Sequence, residues 1–135
     1  KEDRKSALDG IPKSMPSLTH SYSLQRRAAK TGFDWECEED IRAKVIEEFD
    51  ELAHTTTEEE KIEEFGDILF SLVNAGRRMG IDPEQSLRNS NRKFENRFRA
   101  MEKISSSRGS EFKILTIEEK DSLWEEVKKE RRNEP

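Results

Sequence analysis

The chain has 135 residues, of which 41% are charged, and its formal net charge is −5. This length suits a single domain, and the acidic balance excludes a general electrostatic attraction to nucleic acid or to an anionic membrane surface. A polyanion would therefore need a local binding site, and a bound metal ion is an obvious way to build one.

Five helices and no strand are predicted, so the expected fold class is an all-α antiparallel helical bundle. Residues 1–13 are polar and are expected to be loosely ordered, and one domain is expected over residues 14–135. The first helix is predicted from Ser17 to Lys30. It ends before Gly32, which stands where a glycine commonly terminates a helix.

A short turn joins the next two helices. The second helix is predicted from Glu38 to His54, and the turn follows at Thr55–Thr57. Thr57 and Glu60 have the spacing of a capping box, in which a threonine and a glutamate bond each other's backbone N–H groups. We therefore expect the third helix to begin after Thr57 and to continue to about Met79.

The last two helices are also predicted from capping signals. The fourth helix is expected to extend to about Ile104 and the fifth to about Arg131, with a loop over residues 105–115 between them. The residues that form these signals are Asp82, Pro83 and Gln85 for the fourth helix and Thr116 and Glu119 for the fifth.

The third helix carries the strongest apolar pattern. Residues Ile68, Phe70 and Val73 lie on other sides of the helix than its main seam, and a helix that is apolar on several sides is buried on several sides. Leu, Ile, Val and Phe total only 28 residues, so we expect apolar faces to be shared between two copies in a homodimer. The seam, spaced in steps of three and four as in helical bundles, comprises Ile62, Phe65, Leu69, Leu72, Gly76 and Met79.

Four acidic residues are predicted to converge at one place. Glu48 and Glu51 are three residues apart on the second helix, as Glu64 and Asp67 are on the third, so each pair shares a helix face. A short connection makes the two helices antiparallel neighbours. Residues at equal distances from the turn then face each other, which puts Glu51 beside Glu64 and Glu48 beside Asp67.

Such a cluster points to a hard divalent cation. Clustered carboxylates raise one another's pKa and destabilise the fold unless a cation offsets their charge, and oxygen ligands suit Mg²⁺, Mn²⁺ or Ca²⁺ rather than zinc or copper. Acids with this spacing also occur on solvated helix faces, an alternative that spacing alone leaves open. However, Glu48 continues the apolar spacing of its helix, and Glu64 and Asp67 lead into the most apolar segment. A di-iron site would need Glu-x-x-His pairs, which the sequence lacks.

The acidic motif and its surroundings resemble the MazG family of nucleotide pyrophosphohydrolases. The resemblance covers about residues 11–130 and is strongest to the C-terminal, catalytic half of the two-domain bacterial members. A full-length relative would carry a second, homologous half. The segments that carry the resemblance are 25–35, 63–70, 80–84, 91–98 and 123–128, together with the two acidic pairs separated by twelve residues.

The resemblance implies a dimeric helical enzyme that hydrolyses nucleoside triphosphates. It implies a catalytic Mg²⁺ ion, with Mn²⁺ as a possible substitute. The four acids would bind this ion and are the catalytic residues for that reason. It also implies attack of water at the α-phosphorus, which gives a nucleoside monophosphate and pyrophosphate. The residues to which it assigns metal binding are Glu48, Glu51, Glu64 and Asp67.

Further residues acquire roles from the same resemblance. Lys93 and Arg97 would bind phosphates, Trp124 would stack on a base, and Lys128 would reach the phosphates. Each has a structural alternative, since Lys93 and Arg97 could pair with surface acids and Trp124 could anchor the core. Asn91 would contact either substrate or backbone, and Phe33 and Trp35 would either line the base pocket or pack against the bundle. Glu47 or Glu63 would orient the attacking water, although both could also be solvated surface acids.

Two other functions stay open at this stage. The first is a narrower hydrolase for dUTP and dCTP or for phosphoribosyl-ATP, which would use the same acids. The second is a non-catalytic helical interaction module. We expect a cytoplasmic protein with no membrane or nucleic-acid partner, because Cys37 is the only cysteine and neither a signal peptide nor an apolar run of the ~20 residues needed to span a bilayer is visible.

Overall fold

The computed structural model describes residues 5–35 and 37–132, and its helices agree with those predicted. No strand occurs in these two ranges, so the all-α prediction is confirmed. A single 3₁₀ turn, Phe112–Ile114, follows the fourth helix. The five helices are α1 (Ser17–Lys30), α2 (Glu38–Ala53), α3 (Glu58–Arg78), α4 (Pro83–Ser107) and α5 (Ile117–Arg132).

The predicted capping residues form hydrogen bonds at the helix starts. The backbone N–H of Glu60 donates to Thr57 Oγ1 at 3.2 Å, whereas Glu60 Oε2 accepts from the N–H of Thr56 at 3.4 Å instead of the predicted N–H of Thr57. The box at Thr116 is complete, because its N–H donates to Glu119 Oε1 at 3.0 Å and its own Oγ1 accepts from Glu119 N–H at 3.1 Å. At the start of α4, Asp82 Oδ1 accepts from the N–H of Gln85 at 3.1 Å.

The end of α4 differs from the prediction, since the helix continues to Ser107, three residues beyond Ile104. Serine hydroxyls satisfy backbone carbonyls there, which offsets the low helix propensity of a serine run. Ser105 Oγ donates to the carbonyl of Ser110 at 3.0 Å, and Ser107 Oγ donates to that of Ile104 at 2.8 Å. The chain leaves the helix at Gly109, whose φ of +78° favours glycine.

The chain divides into two compact units, Lys1–Ser86 and Leu87–Pro135. In the first unit, α3 packs against both α2 and α1. The buried apolar residues of this unit are Ile41 of α2 and Ile68 and Val73 of α3. In the second unit, Met101, Leu123 and Val127 form a core. The expectation of one domain over residues 14–135 stays a prediction.

The polar segment before α1 is partly anchored by hydrogen bonds. The backbone N–H groups of Lys5 and Ser6 donate to Asp9 Oδ2. Arg27 of α1 donates to the carbonyls of Ala7 and Asp9, each at 2.9 Å. The expectation of loose order for residues 1–4 lies outside the described residues. Among the helices of the described ranges, none combines the length and apolarity that crossing a bilayer requires.

The cap at Thr57 is expected to stabilise the α2–α3 hairpin. Thr57→Ala removes the acceptor for the Glu60 N–H and should lower the free energy of unfolding by about 1 kcal/mol. Thr57→Ser keeps the hydroxyl and is the matched control. Urea denaturation of both variants measures the difference, and equal stabilities would contradict a capping role for the hydroxyl.

Candidate active site

Three of the four predicted acids meet between α2 and α3. Glu48, Glu51 and Glu64 each offer a carboxylate oxygen within 4.8 Å of the others. The predicted neighbours Glu51 and Glu64 are thus close together, and Glu48 joins them because it lies one helical turn before Glu51 on the same face of α2. Asp67 is not a member of this tight group among the described residues.

Glu48 and Glu64 form a hydrogen-bonded carboxyl pair. This bond raises the pKa of Glu64 to about 7, with further contributions from burial and from neighbouring carboxylates. The same bond, followed by that from Lys44, lowers the pKa of Glu48. The pair therefore holds a proton at Glu64 and a charge at Glu48, as expected for two carboxyl groups too close to ionise together.

One carboxyl oxygen in this pair lacks a partner. Glu64 Oε2 is shielded from solvent and makes no hydrogen bond within the described part of the chain. Glu48 is only 6% exposed, and Lys44 Nζ lies 3.0 Å from its Oε1. Buried acceptors without partners are costly, so this cluster is well suited to an added cation.

The cluster borders a cavity of about 670 Å³ in the first unit. Glu48 and Asp67 both contribute to its wall, and they do so beside Lys44. Asp67 thus lines the same cavity as the acid that it was predicted to face. Most of the remaining wall is apolar and comes from α1, α3 and the loop between α1 and α2.

Two aromatic residues of the α1–α2 loop lie at the cavity. Phe33 is 82% exposed and Trp35 is 42% exposed, and both line the cavity. Their role in binding a base stays a prediction. Asp34 between them binds α3 through Arg77 and Arg78. Burial alone would raise the pKa of Asp34, but the hydrogen bonds from Arg77, Trp35 N–H and Arg78 outweigh it and lower that pKa.

Several cavity residues were missed by the sequence analysis, among them Lys44, Gln25 and Asn74. A usable signal existed for Gln25, because it stands in a helical register with Leu18 and Ala28 although it is polar. Asn74 gave a weaker signal, since it follows Val73 on a helix that is apolar on several sides. Both amides are buried, at 8% and 5% exposure.

The other predicted substrate residues belong to the second unit. Arg97 lies over the Trp124 ring, with 5.2 Å from its Cζ to the ring centroid, and Trp124 packs against the core of that unit. Trp124 thus contacts the core on one side and a cation on one ring face, and its predicted stacking on a base stays a prediction. Lys128 Nζ lies 3.7 Å from Glu125 Oε1. Two further predicted residues, Asn91 and Lys93, are exposed on α4.

A family model described as phosphoribosyl-ATP pyrophosphohydrolase matches residues 17–94, which is more than half of the chain. The chain belongs to this family. The match includes all four acids and the whole cavity wall formed by α1, α2 and α3. It ends within α4, so Trp124 and Lys128 lie outside it.

Individual relatives match nearly the whole chain. It is 39% identical over 130 residues to a nucleoside triphosphate pyrophosphohydrolase of Escherichia coli (strain K12), covering 93% of this chain and 49% of the relative. It is 38% identical over 125 residues, with the same coverage, to the nucleoside triphosphate pyrophosphohydrolase/pyrophosphatase MazG of Thermotoga maritima. The uncharacterized protein YabN of Bacillus subtilis is 43% identical over 131 residues, which are 94% of this chain and 27% of that protein.

These relatives confirm the resemblance to MazG proteins that the sequence motifs indicated. The chain spans about half the length of the Escherichia coli and Thermotoga maritima proteins that it matches. What those longer proteins do as a whole therefore bears on this chain only as a basis for proposals.

The raised pKa of Glu64 predicts a pH-dependent loss of stability in the metal-free protein. The folded state holds this proton up to about pH 7, whereas an ordinary glutamate releases it near pH 4.5. The folded state therefore binds more protons between these values, and the stability falls as the pH rises through them. Glu64→Gln can donate to Glu48 at every pH and should melt above the wild type at pH 8 but close to it at pH 4.

The matched control is Glu59→Gln, which neutralises an exposed acid on the same helix. Melting curves at pH 4 and pH 8 in the presence of a chelator compare the three proteins. An equal rise in melting temperature for both variants at pH 8 would indicate general charge repulsion rather than the Glu48–Glu64 pair.

Proposed function

We propose that this chain is a divalent-metal-dependent hydrolase that converts nucleoside triphosphates to nucleoside monophosphates and pyrophosphate. The observation that carries the proposal is the group of three carboxylates within 4.8 Å at a cavity of nucleotide size. Mg²⁺ is the proposed ion and Mn²⁺ a substitute. The names of the Escherichia coli and Thermotoga maritima relatives support the same reaction.

The acids fit a hard divalent cation by their chemistry. All are oxygen donors, which Mg²⁺ prefers, and Mg²⁺ keeps several water ligands when bound by few carboxylates. The unpartnered Glu64 Oε2 and the buried Glu48 would gain a positive neighbour. We assign Glu48, Glu51 and Glu64 as ligands, and Asp67 as a fourth from the same cavity wall.

The metal would supply charge stabilisation for phosphate oxygens and a more acidic bound water. The chain itself contributes orientation. Glu48 fixes Glu64 through their hydrogen bond, and Lys44 keeps a positive charge beside Glu48. Water would add to the α-phosphorus as the bond to the bridging oxygen breaks, and pyrophosphate would leave with that oxygen.

Phosphate binding is proposed for the cationic residues to which the MazG resemblance assigns it. Arg97 has a buried Nε that makes no hydrogen bond within the described residues, and a guanidinium suits phosphate oxygens. We propose that Arg97 binds phosphates with Lys93 and Lys128, that Asn91 contacts the substrate, and that Trp124 supports Arg97 through its ring face. No nucleic-acid or membrane partner and a cytoplasmic location are proposed with this function.

A second candidate substrate is phosphoribosyl-ATP. The family model that matches residues 17–94 carries that description, and the same acids would cleave its triphosphate to release pyrophosphate. Enzymes narrowed to dUTP or dCTP would also use this site, so only the substrate profile separates these readings. A non-catalytic interaction module is disfavoured, since such a module has no need for a hydrogen-bonded carboxyl pair of which Glu48 is buried.

The first experiment is product analysis of the purified chain with Mg²⁺ and each ribo- and deoxyribonucleoside triphosphate, with phosphoribosyl-ATP assayed in parallel. Monophosphate and pyrophosphate from several triphosphates support the proposal. Turnover of phosphoribosyl-ATP alone favours the second candidate, and diphosphate with phosphate would contradict the proposed cleavage position. A metal-dependent rise in melting temperature tests ion binding separately.

Removing single ligands should abolish hydrolysis but keep the fold. Glu48→Gln and Asp67→Asn should each lower kcat/KM by about a hundredfold or more, because a catalytic metal contributes several kcal/mol. The helical circular dichroism should not change. Glu58→Gln, at an exposed position of α3, is the control. Full turnover by both ligand variants would contradict the metal assignment.

We also propose that two copies form a homodimer through α2 and α3. The predicted seam of α3 is exposed in the single chain, with Ile62 at 71%, and apolar surfaces of this kind mark interaction sites. Light scattering at micromolar concentration should give about twice the mass of the chain. Leu69→Lys should shift the protein toward the monomer and Lys61→Gln should not, whereas a monomeric wild type would contradict the proposal.

A further inference from the structure

The cavity wall includes aromatic and polar side chains in addition to the acids that would bind a metal ion. The acids occupy only part of its wall, and the rest includes aromatic rings and two buried amides, Gln25 and Asn74. A volume of about 670 Å³ with mostly apolar walls and a few polar groups is typical of a small-molecule pocket. The charged phosphates of a nucleotide would gain nothing from an apolar wall, so this part of the cavity would suit another part of the ligand.

The amide of Gln25 has a fixed orientation. Its Nε2 donates to the backbone carbonyl of Phe70 at 2.9 Å. A carbonyl can only accept, so the nitrogen must face α3 and the oxygen must point elsewhere. Gln25 Oε1 is shielded from solvent and accepts no hydrogen bond within the described residues. Since Gln25 lines the cavity, a ligand there is the available source of a donor.

The amide of Asn74 is oriented in the opposite sense. Its Oδ1 accepts from Arg77 Nε at 3.1 Å and from Arg77 Nη2 at 2.8 Å. A guanidinium can only donate, so the oxygen must face Arg77 and Nδ2 is left as a donor. Asp34 in turn holds Arg77 by an ion pair. The loop that carries Phe33 and Trp35 therefore also fixes the Asn74 amide.

We propose that Gln25 and Asn74 determine base specificity by reading the hydrogen-bonding edge of the substrate's nucleobase. The exocyclic amino group of adenine or cytosine donates to Gln25 Oε1, the neighbouring ring nitrogen accepts from Asn74 Nδ2, and the aromatic residues at the cavity pack on the base. Asp34 and Arg77 are positioning residues, because they act through Asn74 and Trp35. The inference rests on the proposed function and extends it to the base.

Three features favour a nucleobase over other apolar ligands. The two amides offer one acceptor and one donor, which matches the alternation along a base edge, whereas a lipid or hydrocarbon would satisfy neither. Planar rings suit a wall that includes Phe33, Trp35 and Phe70. Glu48 and Asp67 border the same cavity, so a base held there directs its phosphates toward the acids.

The test uses uncharged nucleosides, which need neither metal nor hydrolysis. Adenosine and purine riboside differ only in the amino group that would donate to Gln25, as do cytidine and its 4-deamino analogue. NMR titration of the whole chain in chelator measures each dissociation constant. We expect the amino nucleoside of at least one pair to bind the wild type about five- to tenfold more tightly, as one net hydrogen bond predicts.

The variants separate the two amides. Gln25→Met removes the acceptor and should bring the ratio within a pair to about one. Asn74→Asp keeps an acceptor for Arg77 but replaces the Nδ2 donor, so both members of a pair should weaken while their ratio is kept. Arg26→Met, on the exposed side of α1, is the control and should change neither value. Amide spectra verify that each variant is folded.

Two outcomes would overturn the inference. One is that the wild type binds the two members of each nucleoside pair equally tightly, as expected if a trapped water donates the hydrogen bond to Gln25 Oε1. The other is a folded Gln25→Met protein that keeps the wild-type ratio. If Gln25→Met hydrolyses triphosphates with the same order of preference among bases as the wild type, the inference is contradicted and the proposed function is not. If the ratio of dissociation constants depends on Gln25 but the wild-type chain cleaves no nucleotide, the inference is supported and the proposed reaction is contradicted.

Discussion

The hydrogen-bonded carboxyl pair of Glu48 and Glu64 is the constraint around which the first unit is arranged. Two acids from different helices are forced together by the packing of α2 on α3, and the fold tolerates this by retaining a proton at Glu64 and a lysine beside Glu48. Neither the proton nor the lysine satisfies every oxygen of the pair, because Glu64 Oε2 has no hydrogen-bond partner among the described residues. The same imbalance that costs stability in the free protein would be relieved by a bound cation, as the proposed function requires.

A second network, built from Asp34, Arg77 and Asn74, connects the aromatic loop to α3. Its effect is geometric, since it holds Phe33 and Trp35 at the cavity and sets which atom of the Asn74 amide is left to bond a ligand. The cavity thus has two chemically different regions, one acidic and one apolar with oriented amides. A nucleotide has the same division between its phosphates and its base, so one ligand would satisfy both regions.

Membership of the phosphoribosyl-ATP pyrophosphohydrolase family and similarity to proteins named nucleoside triphosphate pyrophosphohydrolases agree in the type of bond cleaved and differ in the substrate. This difference has a physical basis in the site. Carboxylates that hold a metal act on the triphosphate group, which these substrates share, and are indifferent to the base. Under the proposed function, discrimination between bases would come from the apolar part of the cavity, where a few side chains would decide which hydrogen bonds a buried base can make.

The sequence by itself determined the helices, because the starts of α3, α4 and α5 carry local signals such as Thr57 with Glu60, and because period and turn length fix which faces of α2 and α3 meet. It also located the acids, since equal spacing about a short turn brings them together whatever the side-chain rotamers. Only the tertiary structure decided that Glu48, rather than the predicted neighbour Glu51, bonds Glu64, because that depends on helix rotation and rotamers. It alone revealed how the amides of Gln25 and Asn74 are oriented, since the direction of an amide is set by partners such as Phe70 and Arg77, which are not apparent from local sequence patterns.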